Sequence, residues 1–223
     1  MARNSMEISI PLSGAGERSS IQGHLAIPQN AKGIVIFAHG SGSSRNSPRN
    51  QYVAQVLNDT GFATALFDLL TRDETREDEK TRKLRFDIEL LAERLTKITE
   101  WVQEREEVAG LKIGYYGAST GAAAALIASA HFKDKTKAVV SRGGRVDLAA
   151  SSLKQVHANT SILLLVGSND PPTIKWNENV MKQLKQVVNK RLVLVQGASH
   201  LFEEGGKLEE VAKHTASWFK ACL

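Results

Sequence analysis

Short apolar runs alternate along this chain with longer stretches of helical periodicity, and that alternation leaves few folds open. The runs include "GIVIFAHG" (33–40), "FATALFD" (62–68), "LKIGYYG" (111–117), "KAVVSRGG" (137–144), "SILLLVGS" (161–168) and "KRLVLVQG" (190–197). Helical patterns fall at 52–61, 84–102, 120–132, 176–188 and 208–219. In the second of these, Leu84, Ile88, Leu91, Leu95, Ile98 and Val102 recur at spacings of four and three, which puts them on one helix face. Strands that alternate with helices build parallel βαβ units whose sheet is covered on both faces. Ile8–Ile10 and Ile21–Ile27 read as an opening antiparallel hairpin around the turn "SGAGERS" (13–19). The expectation is one α/β domain over residues 1–223: a mostly parallel twisted sheet, helices on both faces and an N-terminal hairpin.

Composition narrows the function classes. A chain of 223 residues can bury a sizeable core as a single domain. Its one cysteine, Cys222, permits no intrachain disulfide and no Cys/His metal spacing. No apolar run approaches the roughly 18 residues that span a bilayer. The start, "MARNSMEISIPLSG", has no apolar core of the kind a secretory signal needs, so a cytoplasmic protein is expected. A net charge of +5 raises the question of nucleic acid. However, the basic residues are mixed with acidic ones, as in "TRDETREDEKTRK" (71–83), which reads as a solvated loop and helix start. No nucleic-acid or membrane partner is expected. A mild preference for anionic substrates stays open, and the oligomeric state is not legible.

Parallel sheets place ligands beyond the carboxyl ends of their strands. Six strands here end in polar or glycine-rich elements: "HGSGSS", "DLLTRD", "GASTG", "SRGGRVD", "GSNDPP" and "GASHLF". Among them "GASTG" (117–121) has the spacing G-x-S-x-G. A serine on a sharp strand-to-helix turn projects its Oγ from the sheet, and its neighbours two positions away must be small. Ser119 is therefore the candidate nucleophile, and it needs a base. His200, just beyond the last strand, is the candidate; His24, His131, His157 and His214 sit in strand, helix or loop contexts that read as structural. Asp170, at the end of the preceding strand, is the candidate orienting acid, with Asp147 as its rival. Asp68 comes before the nucleophile and reads as a strand-end capping group. The backbone N–H groups of Ser41 and Thr120 would bind an oxyanion, with His39 propping the first loop. Arg142 and Arg145 leave a strand end, where they would either meet a substrate carboxylate or pair with protein acids such as Asp147.

Together these residues resemble the α/β-hydrolase superfamily and, within it, the dienelactone hydrolase family of small, capless hydrolases. The resemblance covers nearly the whole chain: the hairpin, "FAHGSGSS", "GASTG", "LLLVGSNDP" and "GASHLFEE". The order Ser119, Asp170, His200 is that of α/β-hydrolases. The family's namesake is known for a cysteine nucleophile, and here that position is Ser119. The resemblance thus implies hydrolysis of esters or lactones in general, through an acyl-enzyme, with no metal or organic cofactor. The short gap between "KAVVS" and "SILLL" has no room for a large lid, which implies an open cleft and small, soluble substrates. A thioesterase or acyltransferase would use the same residues, and a non-catalytic binding protein would keep the same fold. Nucleotide binding fits poorly: "GSGSSR" lacks the Lys-Ser/Thr of a P-loop, and Gly114, Gly117 and Gly121 do not fit G-x-G-x-x-G.

Overall fold

The structure is a computed structural model and describes residues 4–12 and 19–223. Among these residues eight strands form one sheet: β1 (Asn4–Pro11), β2 (Ser20–Ile27), β3 (Ile34–Ala38), β4 (Ala63–Phe67), β5 (Ile113–Ala118), β6 (Thr136–Arg142), β7 (Ser161–Gly167) and β8 (Lys190–Val195). Their order is β1-β2-β4-β3-β5-β6-β7-β8. β1 pairs antiparallel with β2, and β2 with β4; every pairing beyond is parallel. The predicted hairpin is present, while most of its turn lies outside the described residues.

The helices are α1 (Pro48–Asp59), α2 (Arg72–Thr81), α3 (Ile88–Gln103), α4 (Thr120–Phe132), α5 (Pro171–Gln183) and α6 (Lys207–Cys222). Strand side chains alternate between two cores, as the period of two demands. Ile34, Ile36, Ile162 and Leu164 face the core of α3, α4 and α5, whereas Val35, Phe37, Leu163 and Leu165 face that of α1 and α6. α4 is the central helix: Ala122 to Leu126 are fully buried. A helix that is apolar all round belongs in the interior, and small side chains let α4 lie close to the sheet and to α3. No helix among the described residues is long and apolar enough to cross a membrane.

Several element boundaries differ from the sequence reading; α1, for one, begins at Pro48 rather than Tyr52. Within 71–83, read as a solvated loop and helix start, a formed helix, α2, spans Arg72–Thr81. Thr71 Oγ1 accepts from Glu74 N–H, and Glu74 accepts from Thr71 N–H, a capping box that nucleates it. α3 begins at Ile88 rather than Leu84, because Asp87 caps it by accepting from Leu90 N–H; Leu84–Phe86 form a separate 3-10 turn. α5 begins at Pro171 rather than near Trp176, with prolines in the first turn, where their missing N–H costs nothing.

Candidate active site

The β5–α4 corner fixes Ser119. Its backbone stands at φ 50° and ψ −121°, a conformation that costs an L-residue on the order of 1–3 kcal/mol. The surroundings enforce it. A Cβ on Gly117 would stand 2.4 Å from Ala122 Cα, and one on Gly121 would stand 2.2 Å from the Ala38 carbonyl oxygen. The two glycines of the pentapeptide are therefore sites of backbone-on-backbone contact. Ser119 N–H donates to the Arg142 carbonyl (3.1 Å), and its own carbonyl accepts from Ala122 N–H (3.1 Å) and Arg145 N–H (3.0 Å). The corner is thereby tied to both α4 and the end of β6.

His200 and Asp170 meet as the strand order places them. The His200 Nδ1–H donates to Asp170 Oδ2 at 2.6 Å. Burial opposes ionisation of Asp170. The hydroxyl and backbone N–H of Thr173, together with the His200 ring, outweigh that penalty and hold the carboxyl below its ordinary value. The loop carrying His200 is pinned by Asn169 N–H on the Ala198 carbonyl (2.9 Å), Gly197 N–H on Ser168 Oγ (2.8 Å) and Ser199 N–H on Glu204 Oε1 (2.9 Å). Gly143, one residue beyond the carbonyl that holds Ser119, packs against this ring: an ideal Cβ there would lie 3.5 Å from His200 Cε1 and Nδ1. Asp147, the rival acid, is engaged elsewhere. Both its oxygens accept from Arg145, at 3.0 and 2.9 Å.

The loop after β3 lies against the serine. An ideal Cβ on Gly40 would stand 3.0 Å from Ser119 Cβ. Among the described residues no backbone carbonyl accepts from the N–H of Ser41 or of Thr120, and Thr120 opens α4, where the helix dipole favours negative charge. His39 does prop this loop: its Nε2 accepts from Leu69 N–H (3.0 Å) and its Nδ1–H donates to the Gly40 carbonyl (2.9 Å). Burial holds the ring below its ordinary pKa, against the opposite pull of the Gly40 carbonyl and of Asp68. Both nitrogens are thus committed to structure. Asp68 accepts from Arg45 N–H (2.7 Å) and forms an ion pair with its guanidinium, so it braces the same loop rather than capping a strand end.

A cavity of about 370 Å³ adjoins this loop, walled by Gly40, Ser41, Gly42, Leu70 and Arg85 with α2 across it. Ser119, Asp170 and His200 are not among its lining residues; Gly40 is the wall shared with the serine. Arg142 and Arg145, read as meeting either a substrate carboxylate or protein acids, are both turned to the protein. Arg145 forks onto Asp147 and lies 4.1 Å from the Trp176 ring centroid. Arg142 is buried against Asn50 and Phe202. The sequence offered Asp147 as a protein partner, which Arg145 takes, but gave no sign of the Asn50 and Phe202 contacts of Arg142. The other histidines stand apart from the site's chemistry: Arg45 Nε donates to His24, Asn159 N–H to His157, and His131 packs edge-on against Phe132. The wall formed by α2 and Arg85 was missed, although Thr71 and Glu74 carry a capping-box signature.

A mostly parallel sheet with a serine at a strained strand-to-helix corner, and a hydrogen-bonded His–Asp pair at later strand ends, defines the α/β-hydrolase fold without a cap domain. The dienelactone hydrolase family profile matches residues 21–222, and the chain belongs to that family. A crystal structure of dienelactone hydrolase from Anabaena variabilis is 48% identical and superposes with a TM-score of 0.92, covering 99% of each chain. Est1E from Butyrivibrio proteoclasticus shares the fold at 15% identity, with a TM-score of 0.74 over 96% of this chain and 98% of its own. A protein of Mycobacterium tuberculosis, provisionally named a phosphoribosyl transferase, is 51% identical over 199 residues, which are 89% of this chain. This chain spans only 43% of that relative's length, and the name speaks for the longer protein.

Proposed function

We propose that the protein is a serine hydrolase of carboxylic esters or lactones of small, soluble substrates, working through an acyl-enzyme. The observation that carries this reading is the strained Ser119 corner together with the 2.6 Å His200–Asp170 hydrogen bond. In the reaction, Ser119 Oγ attacks the carbonyl carbon while His200 Nε2 takes its proton. Asp170 holds the imidazole in the tautomer that leaves Nε2 free, and it stabilises the imidazolium. The N–H groups of Ser41 and Thr120 receive the oxyanion. The C–O bond to the leaving group then breaks, and the alkoxide takes the proton from His200. Water, deprotonated by the same ring, attacks the acyl-enzyme and releases the acid and Ser119.

Serine at the position of the namesake's cysteine makes general-base activation by His200 necessary, because a hydroxyl is a poor nucleophile until its proton is removed. The engagement of Asp147 by Arg145 supports Asp170 as the acid. A cavity of about 370 Å³ beside Ser41 suits a small acyl or alcohol group, near the lower end of ligand-pocket sizes. We place the reaction in the cytoplasm, with a small-molecule substrate as the partner. The test is a panel of acyl esters, lactones and thioesters, assayed with a fluorophosphonate label on the native protein and on Ser119→Ala. Labelling and turnover that require Ser119 are expected. Turnover that survives Ser119→Ala would overturn the assignment.

A further inference from the structure

Arg142 is an expensive residue to bury. The residue is 7% exposed, no described carboxylate lies within ion-pair distance, and its Nε has no hydrogen-bond partner. A guanidinium so placed gives up its hydration without a counter-ion, and an apolar side chain of similar volume would serve stability as well or better. Its guanidinium reaches the buried Tyr116 hydroxyl on β5, Asn50 on α1 and Phe202 in the histidine loop. The guanidinium stands 6.0 Å from the Phe202 ring centroid, and its Nη2 donates to Asn50 Oδ1 at 3.4 Å. Phe202 comes two residues after His200 and is itself strained: it is buried at φ 58°, a conformation that bulky side chains rarely adopt. At its other end, Arg142 accepts the Ser119 N–H on its carbonyl oxygen. The next residue, Gly143, packs on the His200 ring. α1 adds a parallel tie, because Arg49 beside Asn50 pairs with Glu203 beside Phe202 at 2.7 Å.

We propose that Arg142 is a positioning residue that couples the serine corner to the histidine loop, holding His200 within reach of Ser119 by clamping the strained Phe202. Its backbone registers the nucleophile, and its guanidinium face registers the base. A cation over an aromatic ring suits this task because the contact is attractive yet needs no hydrogen bond from a ring that offers none. The burial of charge thus serves geometry rather than stability, and the two separate by experiment. The inference rests on the reading of Ser119 and His200 as nucleophile and base.

The experiment uses the full chain with a neutral and an anionic p-nitrophenyl ester, on Arg142→Met, Arg142→Lys, Phe202→Leu and the Arg142→Met/Phe202→Leu double variant. Arg142→Met is expected to keep its melting temperature within a few degrees. Its kcat is expected to fall about 10- to 30-fold, as for loss of a desolvated cation–π contact, with KM within twofold on both esters. Arg142→Lys should recover part of the loss. The double variant should fall no further than either single one, since each breaks the same clamp. Should Arg142→Met not fold, Phe202→Leu carries the test from the other side. A folded Arg142→Met with kcat within twofold of native overturns the proposal, as does strict additivity in the double variant. A loss confined to KM on the anionic ester also overturns it and makes Arg142 a substrate contact. If the native protein shows no Ser119-dependent turnover or labelling, the underlying reading fails, and the proposal fails with it.

Discussion

Gly121→Ala is the most informative single perturbation, because one methyl group strikes the machinery from behind. The new Cβ would stand 2.2 Å from the Ala38 carbonyl oxygen and 2.5 Å from that of His39. Both are backbone atoms, so no rotamer change relieves the clash. Real Cβ contacts stop near 3.0 Å, so the end of β3 and the first turn of α4 must part by about 0.8 Å. Overpacking of this kind costs typically 1–3 kcal/mol, and a backbone target puts the cost at about 3. At roughly 2–4 °C per kcal/mol for a chain of this size, the melting temperature should fall by about 6–12 °C. The displaced segment leads directly into Gly40 and Ser41, so the Ser41 N–H should move away from the proposed oxyanion position. A misplacement near 1 Å costs on the order of 10²-fold in turnover. Differential scanning fluorimetry and p-nitrophenyl acetate kinetics on the same preparation read both effects. A variant within 2 °C of native and within twofold in kcat would refute the claim that this glycine sets the spacing of serine corner and oxyanion loop.

Three further outcomes follow from the geometry. Ser119→Gly should abolish turnover yet raise the melting temperature, because glycine accepts φ 50° without the roughly 1–3 kcal/mol of strain that serine bears; a fall in the melting temperature would show that the corner is not strained. Asp170→Asn should lower kcat by about 10³–10⁴-fold, whereas Asp147→Asn should stay within a few-fold because its partner is Arg145; the reverse ranking in steady-state assays would move the acid to Asp147. Stability should fall as pH drops below 6.5, the ordinary value for His39. The folded state keeps that ring neutral while the unfolded chain takes up a proton, so the unfolded state binds more protons across this window. Asp170, held below its ordinary value, adds a second loss only below 3.8. Urea midpoints from pH 8 to 5 for native and His39→Gln protein test the first window, and equal slopes in the two would sink it.

The sequence by itself determined the sheet and its parallel character, and it named the residues proposed as the triad. Those follow from local periods and from chain order: alternation sets strand and helix, and strand ends in a parallel sheet must share one edge. It also carried the strain at Ser119, because glycines at both flanks of a serine between an apolar run and a helix leave little other use for them. Helix starts were less legible. Asp87 and Pro171 compete with the apolar period, and a cap or a ring constraint prevails over it within one turn.

The tertiary structure alone decided which protein groups the charges at the end of β6 meet. Arg142 and Arg145 look alike at the end of one strand, but only packing shows the first clamped beneath Phe202 and the second forked onto Asp147. Likewise α2 read as a solvated charge run, and it is solvated, yet it walls the cavity beside Ser41. The reason is physical. Secondary structure obeys interactions between near neighbours, which a one-dimensional pattern records. The environment of an ionisable side chain is set by groups tens or hundreds of residues away, as Asn50 is from Arg142, and that proximity exists only once the sheet has formed.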